Sequence, residues 1–311
     1  MGLFEGRKRR WGDRKDGFLV RNLDPMTRLE PYLMPQKVDS WVLFEDVIDI
    51  TKAQEFVRNL AKDQYPKMSL YHVMFAAMVR AISQVPQLNR FVVNSKIFAR
   101  NEIKFAMVVK KGVTFDGERS VILPKFQPED TLIDVYNKIQ AEIGEIDTTV
   151  HSVEEDENKT AFDGLQYFLS MIPHWFLKFV CGMLRWLDKH GMLPAALTNL
   201  SPFHTSCFIT NMGSFGMEAV HHHVYEFGTL SIFGALGKKK LEYYVDEEGN
   251  RKQKATINAK FVVDERVTGG FEYGMGFKVL RDALRNPESL MTVPEKVVED
   301  VIDRPKRKKK K

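Results

Sequence analysis

The stretch that most constrains the fold is Val262–Gly270, Val-Val-Asp-Glu-Arg-Val-Thr-Gly-Gly. Just upstream, Ile257, Ala259, Phe261 and Val263 alternate with Asn258, Lys260, Val262 and Asp264. Period two predicts a strand with one face fully buried. Downstream, Phe271, Met275, Val279, Leu280 and Leu284 recur at helical spacing, and Pro287 stops the run. Arg281 and Arg285 fall in its last turns, where cations suit the helix dipole. A strand therefore ends, a two-glycine turn follows and a helix begins. Polar side chains at such a junction face a cleft rather than the core. Gly274 and Gly276 lie inside the helix, where each costs about 1 kcal/mol relative to alanine. Close packing against the neighbouring strand is the expected reason.

Other stretches give the order of the remaining elements. Trp41–Ile50 reads as a strand, and Thr51 caps a helix through Asp63 with Phe56, Val57 and Leu60 on one stripe. Met68–Gln84 carries Leu70, Val73, Met74, Ala77, Met78, Ala81 and Ile82 on a broad apolar face, with His72 as a core histidine. The chain then turns at Pro86-Gln87-Leu88-Asn89-Arg90 into a hairpin over Phe91–Asn94 and Lys96–Arg100. Strands at Ile103–Lys110 and Ser120–Leu123 precede a helix over Asp130–Ile143. Asp147–Asp163 is acidic and reads as a surface loop. Ser206–Asn211 is a strand closed by Met212-Gly213-Ser214-Phe215-Gly216. Thr229–Leu236 is an apolar strand, and Lys238–Val245 and Lys252–Val263 form a hairpin around Glu248-Gly249-Asn250.

Leu165–Leu193 is apolar and aromatic, with Phe168, Trp175, Phe176, Phe179 and Trp186. Pro173, His174, Lys178 and Arg185 interrupt it before the roughly 20 apolar residues a membrane span needs. Two packed helices separated near Pro173 are expected, buried in the core or at a subunit interface. Contact with a membrane interface is the alternative.

Length and charge bound the class. A chain of 311 residues, 44% hydrophobic and 28% charged, is ordinary for a globular protein with an ample core. Cys181 and Cys207 offer neither ligand spacing nor a disulfide framework, so a reducing, cytoplasmic setting is expected. The N-terminus has no apolar core of signal-peptide length, and Gly6 breaks the myristoylation pattern. Seven basic residues lie in Arg304–Lys311 and four in Arg7–Arg10; without these eleven the formal charge of +5 becomes −6. Basic ends on an acidic body read as solvated tails, with an anionic membrane surface or nucleic acid as alternative partners.

Asp264-Glu265-Arg266-Val267-Thr268-Gly269-Gly270 resembles the Asp-His-Arg-x-x-Asp-Gly signature of the acyltransferase catalytic domain of 2-oxo acid dehydrogenase complexes. The chloramphenicol acetyltransferases share that fold. Asp264, Arg266 and Gly270 match; Glu265 stands at the family's catalytic histidine and Gly269 at its aspartate. Pro86–Asn89, Ile209–Gly216 and Arg285–Met291 are similar to family turns in the same order. The resemblance runs from about Val38 to Met291 and is densest after Ser201. It implies an α/β two-layer sandwich of the chloramphenicol acetyltransferase and dihydrolipoyl acyltransferase type. It also implies a homotrimer with sites at subunit interfaces. The chain would divide into a basic N-terminal arm over 1–35, a catalytic-type domain over 36–292, and a C-terminal helix with a polybasic tail over 293–311.

Acyl transfer from a thioester needs a base for the attacking group and a donor for the oxyanion. The resemblance implies Glu265 in the base position, Thr210 as oxyanion donor, and Asn211 and Arg266 beside them. A carboxylate near 4.3 is a poor base for a thiol near 8.5 unless burial raises it. The implied substrate is coenzyme A or another thioester carrier, with a small-molecule acyl donor or acceptor and no metal. Lys238-Lys239-Lys240 offers phosphate contacts, or is a solvated strand end. His221 and His223 would share a strand face as two metal ligands, but no third ligand stands at sensible spacing. His204 is a further candidate base. An inactive or non-standard acyltransferase is expected. The alternatives are a non-catalytic trimeric scaffold or binding protein, and a working acyltransferase using Glu265 or another histidine. Whether the chain is an enzyme stays open.

Overall fold

The alternation around Ile257 belongs to the longest strand pairing in the molecule. A computed structural model of the chain describes residues 3–4, 6–110, 119–153, 171 and 173–304. In chain order these form β1 (Gly17–Leu19), α1 (Pro25–Leu33), β2 (Trp41–Asp49), α2 (Thr51–Asp63), α3 (Leu70–Gln84), β3 (Arg90–Val93) and β4 (Lys96–Arg100). Next come β5 (Ile103–Lys110), β6 (Arg119–Ile122), β7 (Lys125–Phe126), α4 (Leu132–Val153), α5 (His174–Lys189) and α6 (Ala195–Leu200). The last elements are β8 (Cys207–Asn211), β9 (Ile232–Val245), β10 (Arg251–Asp264) and α7 (Gly270–Arg285).

The main sheet runs β2-β10-β9-β8-β5-β6, with β7 also on β5; a three-stranded sheet runs β1-β4-β3. In the main sheet β8 is parallel to both β5 and β9, and the remaining pairs are antiparallel. One face of the main sheet packs on helices: Phe105, Ile209, Phe261 and Val263 join Val73, Met74, Phe75 and Leu280 in one core. The other face holds a smaller cluster of Ala106, Phe208, Phe233 and Val262 under Val224 and Leu230. This is the expected α/β two-layer sandwich. His72 is buried in α3, and its Nδ1 accepts the Ser69 N–H at 3.0 Å. Burial pushes its imidazole down to about 4.

Several expectations change. The separate strands over Thr229–Leu236 and Lys238–Val245 are one strand, β9, because a register irregularity between Ile257 and Ala259 lets pairing continue past Gly237. The expected hairpin turns at Asn94 and Ser95, both left-handed with φ of 50° and 54°, as a two-residue turn between twisted strands requires. The helix expected to stop at Ile143 continues to Val153, so residues 147–153 of the expected loop are helical; 154–163 lie outside the described residues. The first of the two helices expected in Leu165–Leu193 also lies largely outside them. Gly276 does pack closely, but against Leu88 of the Pro86–Asn89 turn: an added Cβ would sit 2.3 Å from Leu88 Cδ1. Gly274 has nothing within 4 Å.

The described segments near the two ends of the chain are docked together. Within the stretch expected as an arm, β1 pairs with β4, and Phe18 and Val20 are buried. Residues 293–304 form no helix, contrary to expectation. They run extended because they have partners outside themselves. Val298 N–H donates to Ser83 O at 2.9 Å, Ile302 is buried, and Arg90 Nε donates to Asp300 at 2.9 Å. Asp303 binds Arg7 and Arg10.

Candidate active site

β10 ends at Asp264 because that side chain folds the next residues back. Its Oδ1 accepts from the Arg266 N–H at 3.1 Å, which starts a single tight turn over Glu265–Val267. The Arg266 guanidinium then forks onto the carboxylate, Nε to Oδ1 at 2.9 Å and Nη2 to Oδ2 at 2.8 Å. Ser40 Oγ donates to the same Oδ1 at 2.9 Å, and Arg266 Nη1 donates to Met34 O at 3.0 Å. Tyr273 of α7 donates its hydroxyl to the Asp264 carbonyl at 3.0 Å. Asp264 and Arg266 are both buried. They fasten the end of β10 to the chain before β2 and to the following helix. Arg266, a candidate site residue, is thus fully engaged in holding the turn.

Glu265 points the other way and is exposed. The neighbouring carboxylate that feels it is Glu30 of α1, which burial first, and then the Glu265 charge, push upward. Gly269 is exposed at the cap of α7, and an added Cβ would meet only Glu272 Oε2, at 3.2 Å.

Thr210 and Asn211 end β8 on opposite faces of the sheet, as period two demands. Asn211 is engaged by its turn: its Oδ1 accepts the Ser214 N–H at 3.0 Å and its carbonyl accepts Ser214 Oγ at 2.8 Å. Its side chain also bonds Tyr71 of α3, whose phenol burial pushes up to about 12. Gly213 lies so close to Gly237 O that a Cβ would sit 2.6 Å from it. Thr210 is half-buried, and among the described residues no hydrogen bond engages its hydroxyl.

The strand register sets the separation of Thr210 and Glu265. Thr210 is opposite Ala235, and Ala235 is opposite Lys260. Glu265 lies five residues farther along β10 and two strands across. At about 3.3 Å per residue and about 4.8 Å per strand, that is roughly 15–20 Å. One chain does not bring these two candidates together.

The remaining histidines sit elsewhere. His204 is buried at the opposite end of β8, with Nδ1 2.8 Å from Ser201 Oγ and Nε2 3.4 Å from Asp188 Oδ1. Burial pushes the Asp188 carboxyl up, but His204 and Arg14 outweigh it and hold the group below the usual range. His221, His222 and His223 are on no strand, so the shared face expected of the first and third does not exist. The His222 ring instead stacks on Phe233 at 4.4 Å. Among the described residues, no group of three or more His, Cys, Asp or Glu could hold a metal ion. Lys238 and Lys240 both reach Glu218, at 3.4 and 3.0 Å, which suits a solvated strand end. A cavity of about 160 Å³ at Arg14, Arg100, Lys104 and His204 and another of about 560 Å³ at Arg21, Arg28, Tyr32 and Lys96 are lined by neither Glu265 nor Thr210.

Sequence reasoning missed Ser40, Met34 and Tyr273, which fix the turn, and Lys37. The Lys37 ammonium is buried and donates to the carbonyls of Tyr225, Gly228 and Leu230 at 2.9, 2.9 and 3.1 Å, and burial pushes it down to about 8. No sequence signal marked it, because its partners are backbone carbonyls distant in the chain.

Solved structures share this fold. A probable dihydrolipoamide acetyltransferase from Listeria monocytogenes 4b F2365 is 13% identical with a TM-score of 0.53, covering 85% of this chain and 93% of its own. The cubic core of a pyruvate dehydrogenase multienzyme complex is 12% identical with a TM-score of 0.52, covering 92% and 95%. The fold is that of the dihydrolipoamide acetyltransferase catalytic core. A chloramphenicol acetyltransferase is also similar, at 10% identity and a TM-score of 0.50, covering 85% of this chain and 97% of its own. No family model and no curated protein matches the sequence. At these identities the likeness is one of fold, so the chemistry rests on the residues of this chain.

Proposed function

We propose that the protein is a homotrimeric, non-standard acyltransferase acting on a thioester, in which Thr210 of one copy faces Glu265 of another. The observation that carries this is the unengaged Thr210 hydroxyl at the end of β8. The register supports the second copy, because the two groups are too far apart within one chain to share a substrate. In this reading Thr210 Oγ–H donates to the oxyanion formed when the acceptor attacks the thioester carbonyl. Glu265 takes the acceptor's proton and returns it to the departing thiol as the carbonyl re-forms. Asp264, Arg266 and Ser40 are positioning residues that fix the backbone of the Glu265 turn. Lys238 and Lys240 are held by Glu218, so no residue is assigned to the phosphates of coenzyme A.

A specific observation favours a second reading, a trimeric scaffold without turnover. Glu265 is exposed beside another carboxylate, Glu30.

Thiol release from acetyl-coenzyme A with dihydrolipoamide and simple acceptors separates the two. Weak wild-type turnover is expected, with a gain in Glu265→His/Gly269→Asp, since general base catalysis is worth about 10²–10⁴-fold. Thr210→Ala should remove that gain. A fast wild type abolished by Glu265→Gln makes Glu265 a true base. A folded double variant silent with every acceptor favours the scaffold. Light scattering that gives a monomer at micromolar concentration removes the shared site altogether.

A further inference from the structure

The surface around α5 and the N-terminal turn is unlike the rest of the molecule. At 3.6 residues per turn, Leu177, Val180, Leu184 and Leu187 form a half-buried stripe of α5. A second apolar stripe faces solvent: Trp175 is 74% exposed, Phe179 63% and Trp186 53%, with Met183 between them. Lys178, Arg185 and Lys189 run along the flank of that stripe, and all three are exposed.

The next turn of chain over carries the same pairing of residue types. Trp11 is 98% exposed and follows the exposed Lys8, Arg9 and Arg10. Arg14, three residues on, donates Nη1 to the Asp188 carbonyl at 2.6 Å, in the last turn of α5. Three residues span at most about 10 Å and the Arg14 side chain adds several more, so the Trp11 backbone lies within roughly 20 Å of the last turn of α5. Arg21 Nη2 donates to the Trp11 carbonyl at 2.9 Å and lines the cavity of about 560 Å³. Arg10, Arg28, Lys96 and Arg304 line that cavity too, against the single acid Asp303. By sequence, Lys306 to Lys311 add six cations just beyond Arg304.

We propose that this surface docks on a bilayer containing anionic phospholipid. The aromatic stripe of α5 and Trp11 would lie at the headgroup boundary, with the basic cavity and flanks on lipid phosphates. Aromatic rings beside snorkelling lysine and arginine suit that boundary, and neither an apolar stripe nor a basic cluster alone binds a membrane stably. Charge decides against a two-fold contact with a second copy, and complementarity to an anionic surface favours the bilayer over a three-fold contact, which the experiment below separates. A two-fold contact would set Lys178, Arg185 and Lys189 against their own like charges. Among the described residues no helix is long and apolar enough to cross a membrane, so docking would be peripheral.

The experiment uses the full chain with vesicles of phosphatidylcholine containing either no charged lipid or about 30% phosphatidylglycerol. Trp11, Trp175 and Trp186 are three of the four tryptophans. Their emission should shift to the blue on anionic vesicles alone and be quenched by brominated acyl chains. Co-sedimentation should fall steeply between about 0.1 and 0.5 M salt. Trp175→Ser/Phe179→Ser/Trp186→Ser should bind at least about ten-fold more weakly with its circular dichroism unchanged. Each charge reversal among Lys178, Arg185 and Lys189 should cost at least about five-fold. Absent or salt-insensitive vesicle binding overturns the proposal. So does binding to a single-stranded oligonucleotide without binding to vesicles. A triple variant that changes oligomeric state but not vesicle affinity overturns it in favour of a subunit contact.

Discussion

Two sets of side chains leave the turn after β10 in opposite directions. Asp264 and Arg266 go inward, are buried, and exhaust their hydrogen bonds on each other, Ser40 and Met34. Glu265 and Gly269 go outward and hold nothing in place. Of the three positions that agree with the acyltransferase signature, Asp264 and Arg266 are buried and Gly270 is exposed at the start of α7; the two that depart from it, Glu265 and Gly269, are both exposed. The buried part of the agreement therefore lies in residues that build the turn.

Breaking the inward set should have the largest effect. Arg266→Met leaves a buried, unpaired Asp264 and should cost about 3–5 kcal/mol in urea unfolding. Adding Asp264→Asn should return part of that loss, because the stranded charge is gone. If Arg266→Met costs no more than a surface substitution, the contrast between the two sets is wrong.

A buried polar group outside the turn provides a second test. His72 has its folded pKa depressed to about 4 from 6.5 by burial. Protonation therefore favours the unfolded chain. Stability is intact above pH 6.5 and falls as pH drops from 6.5 toward 4, by up to about 3 kcal/mol. His72→Gln should flatten urea midpoints over that window, and an unchanged slope would show that other groups dominate acid sensitivity.

The smallest effects should come from the outward set. Glu265→Gln and Gly269→Asp should each change stability by no more than about 0.5 kcal/mol. Aspartate at the α7 cap should gain a few tenths, since it accepts orphan N–H groups better than glycine. A loss above about 1 kcal/mol at either site, measured in the assembled protein, would show that the neighbouring copy packs on the turn.

Much of the site's framework was legible in the sequence. The strand, glycine turn and helix around Asp264 follow from period two giving way to helical spacing, and the β8 turn follows from its glycines. Gly237 splits the apolar run into two apparent strands, whereas cross-strand pairing with β10 carries β9 through it. The site candidates were legible as types but not as a constellation. Thr210 and Asn211 are adjacent in sequence, yet one hydroxyl is unengaged and the other side chain caps a turn.

The sequence by itself determined the order of elements, because periodicity and turn residues act over a few neighbours. Burial was decided only by tertiary structure. α3 and α5 are both rich in apolar residues; α3 is enclosed by the sheet, α4 and α7, while half the apolar arc of α5 is left in solvent. Tertiary structure also docked the described segments near the two chain ends on each other through Asp303 and set Thr210 and Glu265 far apart. The physical reason is the same in each case: local pattern specifies which face of an element is apolar, but what covers that face comes from residues hundreds of positions away.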